Sequence, residues 1–215
     1  MKTATLSRPT NSIGITREYL SELAREASGF GPSAVHIPSL PGVEHVPVAG
    51  VATQLRRLVD PHITEKSKAW LIGYDCANLT VYTEWVELLE RWLNVGASID
   101  YLFLNPSPAT VGAITGLKEK CKKADSEGRF KVFKIVDSKV TDEEGSQRMA
   151  TWKTFHFAGF SNPRQLWVEK NHPVGKYFAE NCTYYSENAL DQDSKLYNLL
   201  QDKFRRTVNA YAEAF

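Results

Sequence analysis

Ala69-Trp70-Leu71-Ile72-Gly73-Tyr74 is an unbroken apolar run of strand length, and its reading decides the fold. A strand apolar on both faces is one covered by helices on both sides. Downstream, Thr80 is placed to cap a helix, with Glu84 near its positive end. Val81, Trp85, Leu88, Leu89, Trp92 and Leu93 then draw one apolar stripe at helical spacing, and Gly96 stands at the left-handed stop. Ile99-Asp100-Tyr101-Leu102-Phe103-Leu104 gives a second strand. Ser107-Pro108 supplies a cap and a first-turn proline for a helix facing Val111, Ile114 and Leu117 inward, and Phe130 to Val136 gives a third strand. Strand, helix, strand, helix, strand implies parallel pairing through right-handed crossovers. The expected class is α/β: a mixed, largely parallel sheet flanked by helices, with a β-hairpin in the C-terminal half and a terminal helix.

Working toward the C-terminus, Asp137 to Ala150 is charged and reads as a loop, either a solvated connection or a gate over a pocket. Trp152 to Phe160 and Gln165 to Glu169 flank Ser161-Asn162-Pro163-Arg164, which predicts a hairpin with a polar turn. Phe178 to Tyr185 reads as an edge strand. Asp193 or Ser194 caps a final helix with Leu196, Leu199, Leu200, Phe204, Val208 and Tyr211 inward. Toward the N-terminus, Thr16 precedes a short helix facing Leu20, Leu23, Ala24 and Ala27, halted by Gly29, Gly31 and Pro32. Short extended pieces follow at 35–37 and 43–48, and a second helix spans Val51 to Val59 before Pro61. Residues 1–65 read as a segment docked on one flank of the main sheet, with an independent domain or a ligand lid as the alternatives. Residues 66–215 read as the α/β domain itself.

The 215 residues carry 26 Lys and Arg against 25 Asp and Glu, a formal charge of +1. That balance excludes a generally basic nucleic-acid coat and leaves room for a local basic patch. No apolar run reaches the ~20 residues of a membrane span. The first nine residues lack the apolar centre of a signal peptide, and Cys76, Cys121 and Cys182 are odd in number and far apart. Both points lead to the expectation of a cytoplasmic protein. Neither GxGxxG nor GxxxxGK[ST] occurs, and there is no HExxH or clustered Cys/His, so no cofactor and no metal is expected.

Open α/β sheets bind ligands beyond the carboxyl ends of their parallel strands. There Asp75 can orient a base or a cation, or simply accept hydrogen bonds in a loop, and Asn105 reads as a turn residue. The most unusual segment is 146–176, where Arg148, Lys153, Arg164, Lys170 and Lys176 face the single acid Glu169. It also holds His156, inside Phe155-His156-Phe157, and His172. A hairpin turned at Asn162-Pro163 brings His156 level with Glu169 to His172. A histidine facing an anionic pocket can act as nucleophile or general acid near neutral pH, with basic neighbours holding a phosphate. Its plainer reading is a hydrogen-bonded strand residue. Cys182 reads as a core thiol, with a Cys–His nucleophile as the other possibility.

The order of elements, with Asn94-Val95-Gly96-Ala97 leading into Ser98 to Leu104 and a histidine hairpin later, resembles the phospholipase D-like superfamily over about 69–185. That family carries H-x-K-x4-D and, on the returning strand, G-S-x-N. His156 matches the signature histidine, which in the family attacks phosphorus. Ala158 stands in the lysine's place, Pro163 in the aspartate's, and Glu169 and Asn171 fall near the serine and asparagine. The resemblance implies a phosphodiesterase or nuclease type of hydrolase acting on a phosphodiester, in nucleic acid or nucleotide. His156, His172, Glu169 and Asn171 would be its catalytic set. Lys153, Arg164, Lys170, Lys176 and Asp75 would bind the phosphate. A single histidine hairpin per chain implies a homodimer sharing one site. The rival expectations are a relative that binds an anion or a partner without catalysis, and an unrelated small-molecule enzyme using Asp75 and Cys182.

Overall fold

The computed structural model describes residues 42–46, 51–73, 83–171, 179–192 and 194–214. The helix expected near residues 16–27 lies outside them. An eight-stranded mixed sheet runs through the described part. Its strands are β1 (Val43–Val46), β2 (Lys68–Gly73), β3 (Ser98–Phe103), β4 (Phe130–Ile135), β5 (Phe155–Ser161), β6 (Gln165–Asn171), β7 (Ala179–Tyr185) and β8 (Ala212–Ala214). The spatial order is β1-β7-β6-β5-β2-β3-β4-β8.

The sheet is mixed, as expected, but parallel pairing is confined to β2-β3-β4. Every other described pairing is antiparallel, so the sheet as a whole is mostly antiparallel and not largely parallel. Crossover helices are what force parallel pairing, and only the 68–135 stretch contains them. Elsewhere consecutive strands pair antiparallel, β5 with β6 and β6 with β7, or strands far apart in sequence do. The strand at 179–185 is interior, held between β1 and β6, and β1 takes the edge instead.

Helices cover both faces. One face packs against α1 (Val51–Leu58), α2 (Thr83–Val95), α3 (Pro108–Lys120) and α4 (Lys122–Ser126). There Leu55, Leu58, Leu88, Trp92, Ile114 and Leu117 meet Leu71, Ile99, Phe160 and Trp167. The other face packs against α5 (Glu143–Thr154), α6 (Glu187–Gln192) and α7 (Lys195–Tyr211). There Trp70, Ile72, Leu102, Phe157 and Leu166 meet Leu190, Tyr197, Leu200 and Phe204. Alternation along β2 explains the split, Ala69 and Leu71 facing one layer, Trp70 and Ile72 the other. β1 pairs within this sheet and α1 packs into its first core, so both belong to the same body as β2 to β8.

Two local signals act where they were read, whereas Ser194 gives the last helix no side-chain cap and Val111 is exposed. Ser107 caps α3, its Oγ accepting from the Thr110 amide at 3.3 Å. Gly96 ends α2 at φ +111°, a conformation costly for any residue with a side chain, and an added Cβ there would lie 2.9 Å from the Glu65 Cβ. The charged stretch at 137–150 is not a loop throughout: a helical turn at Asp137–Lys139 is followed by α5, which runs directly into β5. Asp142 starts α5, its Oδ1 accepting from the Gly145 amide, and Glu143 and Glu144 sit at the positive helix end. The hairpin strand therefore begins at Phe155 and not at Trp152. Among the described residues no helix is long and apolar enough to cross a membrane.

Candidate functional site

The hairpin register is the centre of the site. His156 stands directly opposite Glu169, and Phe155 opposite Lys170. On the other side of β6, Glu169 stands opposite Cys182 and Lys170 opposite Asn181, with a register shift between Lys170 and Asn171. Such bulges bend a strand and re-aim its last residues.

Topology decides which edge this rung occupies. β5 runs antiparallel to β2, with Ile72 opposite Phe157 and Lys68 opposite Ser161. The backbone of His156 thus lies beside the carboxyl end of β2, next to its last residue Gly73. β3 ends at the same edge, the Leu104 amide donating to the Gly73 carbonyl at 2.9 Å, and Asn105 follows exposed. Lys153 sits in the last turn of α5, two residues before β5. Backbone placement therefore gathers Lys153, His156, Glu169, Lys170 and Asn171 at the carboxyl edge of the parallel strands, where open α/β sheets hold ligands. Asp75, His172 and Lys176 lie outside the described residues.

Glu169 is partly buried, and its Oε1 accepts from the Trp167 indole N–H at 2.8 Å. Burial pushes its carboxyl above the ordinary glutamate range, and the indole hydrogen bond pulls the other way. A carboxylate that resists ionisation in this way holds its proton to higher pH than an exposed one. Trp167 was not singled out in the sequence, although it is two residues before Glu169 on the same strand face.

Cys182 is a core thiol. It is fully buried in the first core, and burial, followed by the nearby Glu169, pushes its ionisation far upward. A thiol so buried is poorly placed to act as a thiolate nucleophile.

Arg164 does not join the others. It lies in the hairpin turn, five rungs from His156, about 17 Å at ~3.4 Å per strand residue. Its backbone N–H donates to Glu187 at 3.2 Å, and its guanidinium pairs with Asp191. The turn that brings the two strands together necessarily places its own residues at the opposite edge. Ala158 is buried between Leu71 and Trp167 on the neighbouring strands, so the place of the family's lysine is core here.

No protein-family model and no curated protein matches the sequence. Solved structures do share its shape. The chain is similar to TrmBL2, an archaeal chromatin protein whose structure shows a mode of DNA binding, with TM-score 0.50 and 10% identity over 92% of this chain and 64% of that one. It is also similar to a polyphosphate kinase from Porphyromonas gingivalis, with TM-score 0.43 and 11% identity over 91% of this chain and 26% of that one. This chain thus spans less than two thirds of either protein's length. At such identity the chromatin-protein likeness is one of fold.

Proposed function

We propose that this chain is a divergent phospholipase D-like protein that binds a phosphodiester, in a nucleic acid or a nucleotide, at the carboxyl edge of its parallel strands. The observation that carries the reading is the rung pairing His156 with Glu169 at that edge, with Lys153 and Lys170 beside it in the backbone. Basic residues within a few positions of a histidine and a carboxylate, all at one edge of the sheet, form a set suited to an anionic oxygen. The similarity in fold to a DNA-binding chromatin protein is in keeping with such a ligand. In a two-fold homodimer, two such edges would face one phosphodiester, each chain supplying one His156.

A specific observation favours binding without turnover. Ala158 is buried in the core, and Arg164 is drawn away to Asp191, so two of the cations that would neutralise a developing phosphorane are not at this edge. The test uses the full chain on labelled single- and double-stranded DNA, RNA and bis-p-nitrophenyl phosphate, with and without EDTA. The expected result is salt-dependent binding, weakened by Lys170→Ala and by His156→Ala, without cleavage. Metal-independent cleavage lost in His156→Ala would instead establish the catalytic form of the reading. No binding to any phosphodiester, or binding unchanged in both variants, would refute it. Light scattering that finds only monomer at tens of micromolar (roughly, by mass action) would remove the shared dimer site.

A further inference from the structure

A second polar concavity lies at the opposite, amino-terminal edge of the parallel strands, between the sheet and α7. It encloses about 450 Å³ and is half open to solvent. Volumes of ~300–1,000 Å³ are those of small-molecule sites. Three strands contribute residues near their amino ends: Lys68 from β2, Asp100 from β3 and Lys131 from β4. Asp100 and Lys131 are direct cross-strand partners, and Asp100 accepts an ion pair from Lys68 at 2.8 Å. That pairing neutralises the groove's one acid. The helix adds Gln201, Arg205 and Asn209, spaced four apart and so aligned along one helical face. No acid among the described residues pairs with Lys131 or Arg205, so the groove carries an excess of two cations. Its wall is apolar, formed by Phe133 and Phe204.

We propose that this groove binds a nucleoside monophosphate, with its phosphate on Lys131 and Arg205 and its base against Phe133. Charge-assisted hydrogen bonds suit the phosphate, and an aromatic wall suits a planar ring. The amides of Gln201 and Asn209 each present donors and an acceptor, the complement of a base edge. This site is separate from the carboxyl edge and stands whether or not that edge binds a phosphodiester.

Calorimetric titration of the full chain with AMP, GMP, CMP and UMP, and separately with inorganic phosphate and with adenosine, tests it. Binding of at least one nucleotide is expected, with phosphate alone and adenosine alone weaker by about tenfold or more. Lys131→Gln and Arg205→Gln are substitutions of exposed residues, checked for folding by circular dichroism, and each should weaken nucleotide binding about tenfold. Asn209→Leu should change the ranking among the four bases. In His156→Ala the nucleotide binding that depends on Lys131 and Arg205 should remain. The proposal is overturned if no nucleotide binds at millimolar concentration, or if inorganic phosphate binds as tightly as the nucleotides. It is also overturned if affinity survives in the Lys131→Gln/Arg205→Gln double variant. Loss of binding in His156→Ala would move the nucleotide to the carboxyl edge, which rejects this site while supporting the other.

Discussion

Gly159→Ala is expected to destabilise this protein, although alanine suits a strand better than glycine does. An added Cβ at Gly159 would lie 1.9 Å from Trp70 Cζ2, 2.0 Å from Cε2 and 2.4 Å from Cη2. Ordinary contact begins near 3.4 Å, so the indole must retreat by more than an ångström. Its retreat is obstructed on most sides, the groove beside α7 being the one space it borders. Trp70 is 2% exposed and is walled by Phe157 at 5.1 Å, Tyr197 at 5.6 Å and Phe204 at 5.9 Å between ring centroids. Tyr197 is itself fixed, its hydroxyl donating to the Phe160 carbonyl at 2.8 Å. Overpacking of a closed core costs about 1–3 kcal/mol, and this collision belongs at the upper end. Reduced chain entropy in the unfolded state returns about 0.4–1 kcal/mol, leaving a net loss of about 2 kcal/mol. Guanidinium unfolding of both chains, followed by far-ultraviolet circular dichroism, measures it. A midpoint equal to or above that of the wild type refutes the reasoning. Repeating the substitution in a Trp70→Leu background isolates the cause: there Gly159→Ala should cost nothing, and an undiminished cost would mean that the indole is not the obstacle.

Three further outcomes follow from the same geometry. Folded Glu169 holds its proton more tightly than the unfolded chain does, so stability falls as pH rises from the ordinary glutamate range through the raised native value. Glu169→Gln should therefore be more stable than wild type at neutral pH and show a flatter profile, read from urea midpoints at about pH 4 and about pH 7. Cys182 and Cys121 are both buried with ionisation pushed upward, so neither should react with a disulfide reagent at about pH 8 until denaturant is added. Fast labelling of either in a Cys76→Ser chain would contradict the packing. Arg164→Ala breaks an exposed pair with Asp191 and should lower stability by no more than about 1 kcal/mol. Phosphodiester binding measured on the same protein should not change, because the turn lies at the far edge.

What could be read from the residues divides along a physical line. The β2 to β4 stretch was legible because its signals are local: the stripe on α2, the Ser107 cap and the Gly96 stop each act within a few residues. The His156–Glu169 rung was legible for the same reason, since one four-residue turn fixes the whole register of its hairpin. Helix α5 was not, because Glu143 to Thr154 is polar and shows no apolar stripe. It is held mainly by particular contacts, Gly145 against the Tyr211 ring and Met149 against the second core. The pairing of β1 with β7 joins residues well over a hundred positions apart, and no feature of either strand announces its partner. That pairing moved β7 from the edge to the interior. In the site, the grouping of Arg164 with His156 followed from their nearness in sequence. A hairpin reverses that nearness: residues of its turn are the ones farthest from the residues at its open end.

The same alternation that builds the second core also explains why a charged groove exists at one end of it. On the face toward α7, each parallel strand is polar near its amino end and continues apolar: Lys68 before Trp70 and Ile72, Ser98 and Asp100 before Leu102 and Leu104, Lys131 before Phe133 and Ile135. Burying three such charges beneath a helix would cost several kcal/mol each unless every one were paired. The covering helix accordingly crosses the sheet on a slant. Tyr197 bonds to Phe160 near the amino end of β2, while the Tyr211 carbonyl accepts from Val136 just past the carboxyl end of β4. The slant leaves the first residues of β3 and β4 open along the flank of the helix, and Gln201, Arg205 and Asn209 line that flank. At the other edge the polar residues stand at strand ends and connections, outside the apolar pattern altogether. A net charge of +1 over the whole chain therefore averages over two separate polar edges, each formed by a different rule of the sheet.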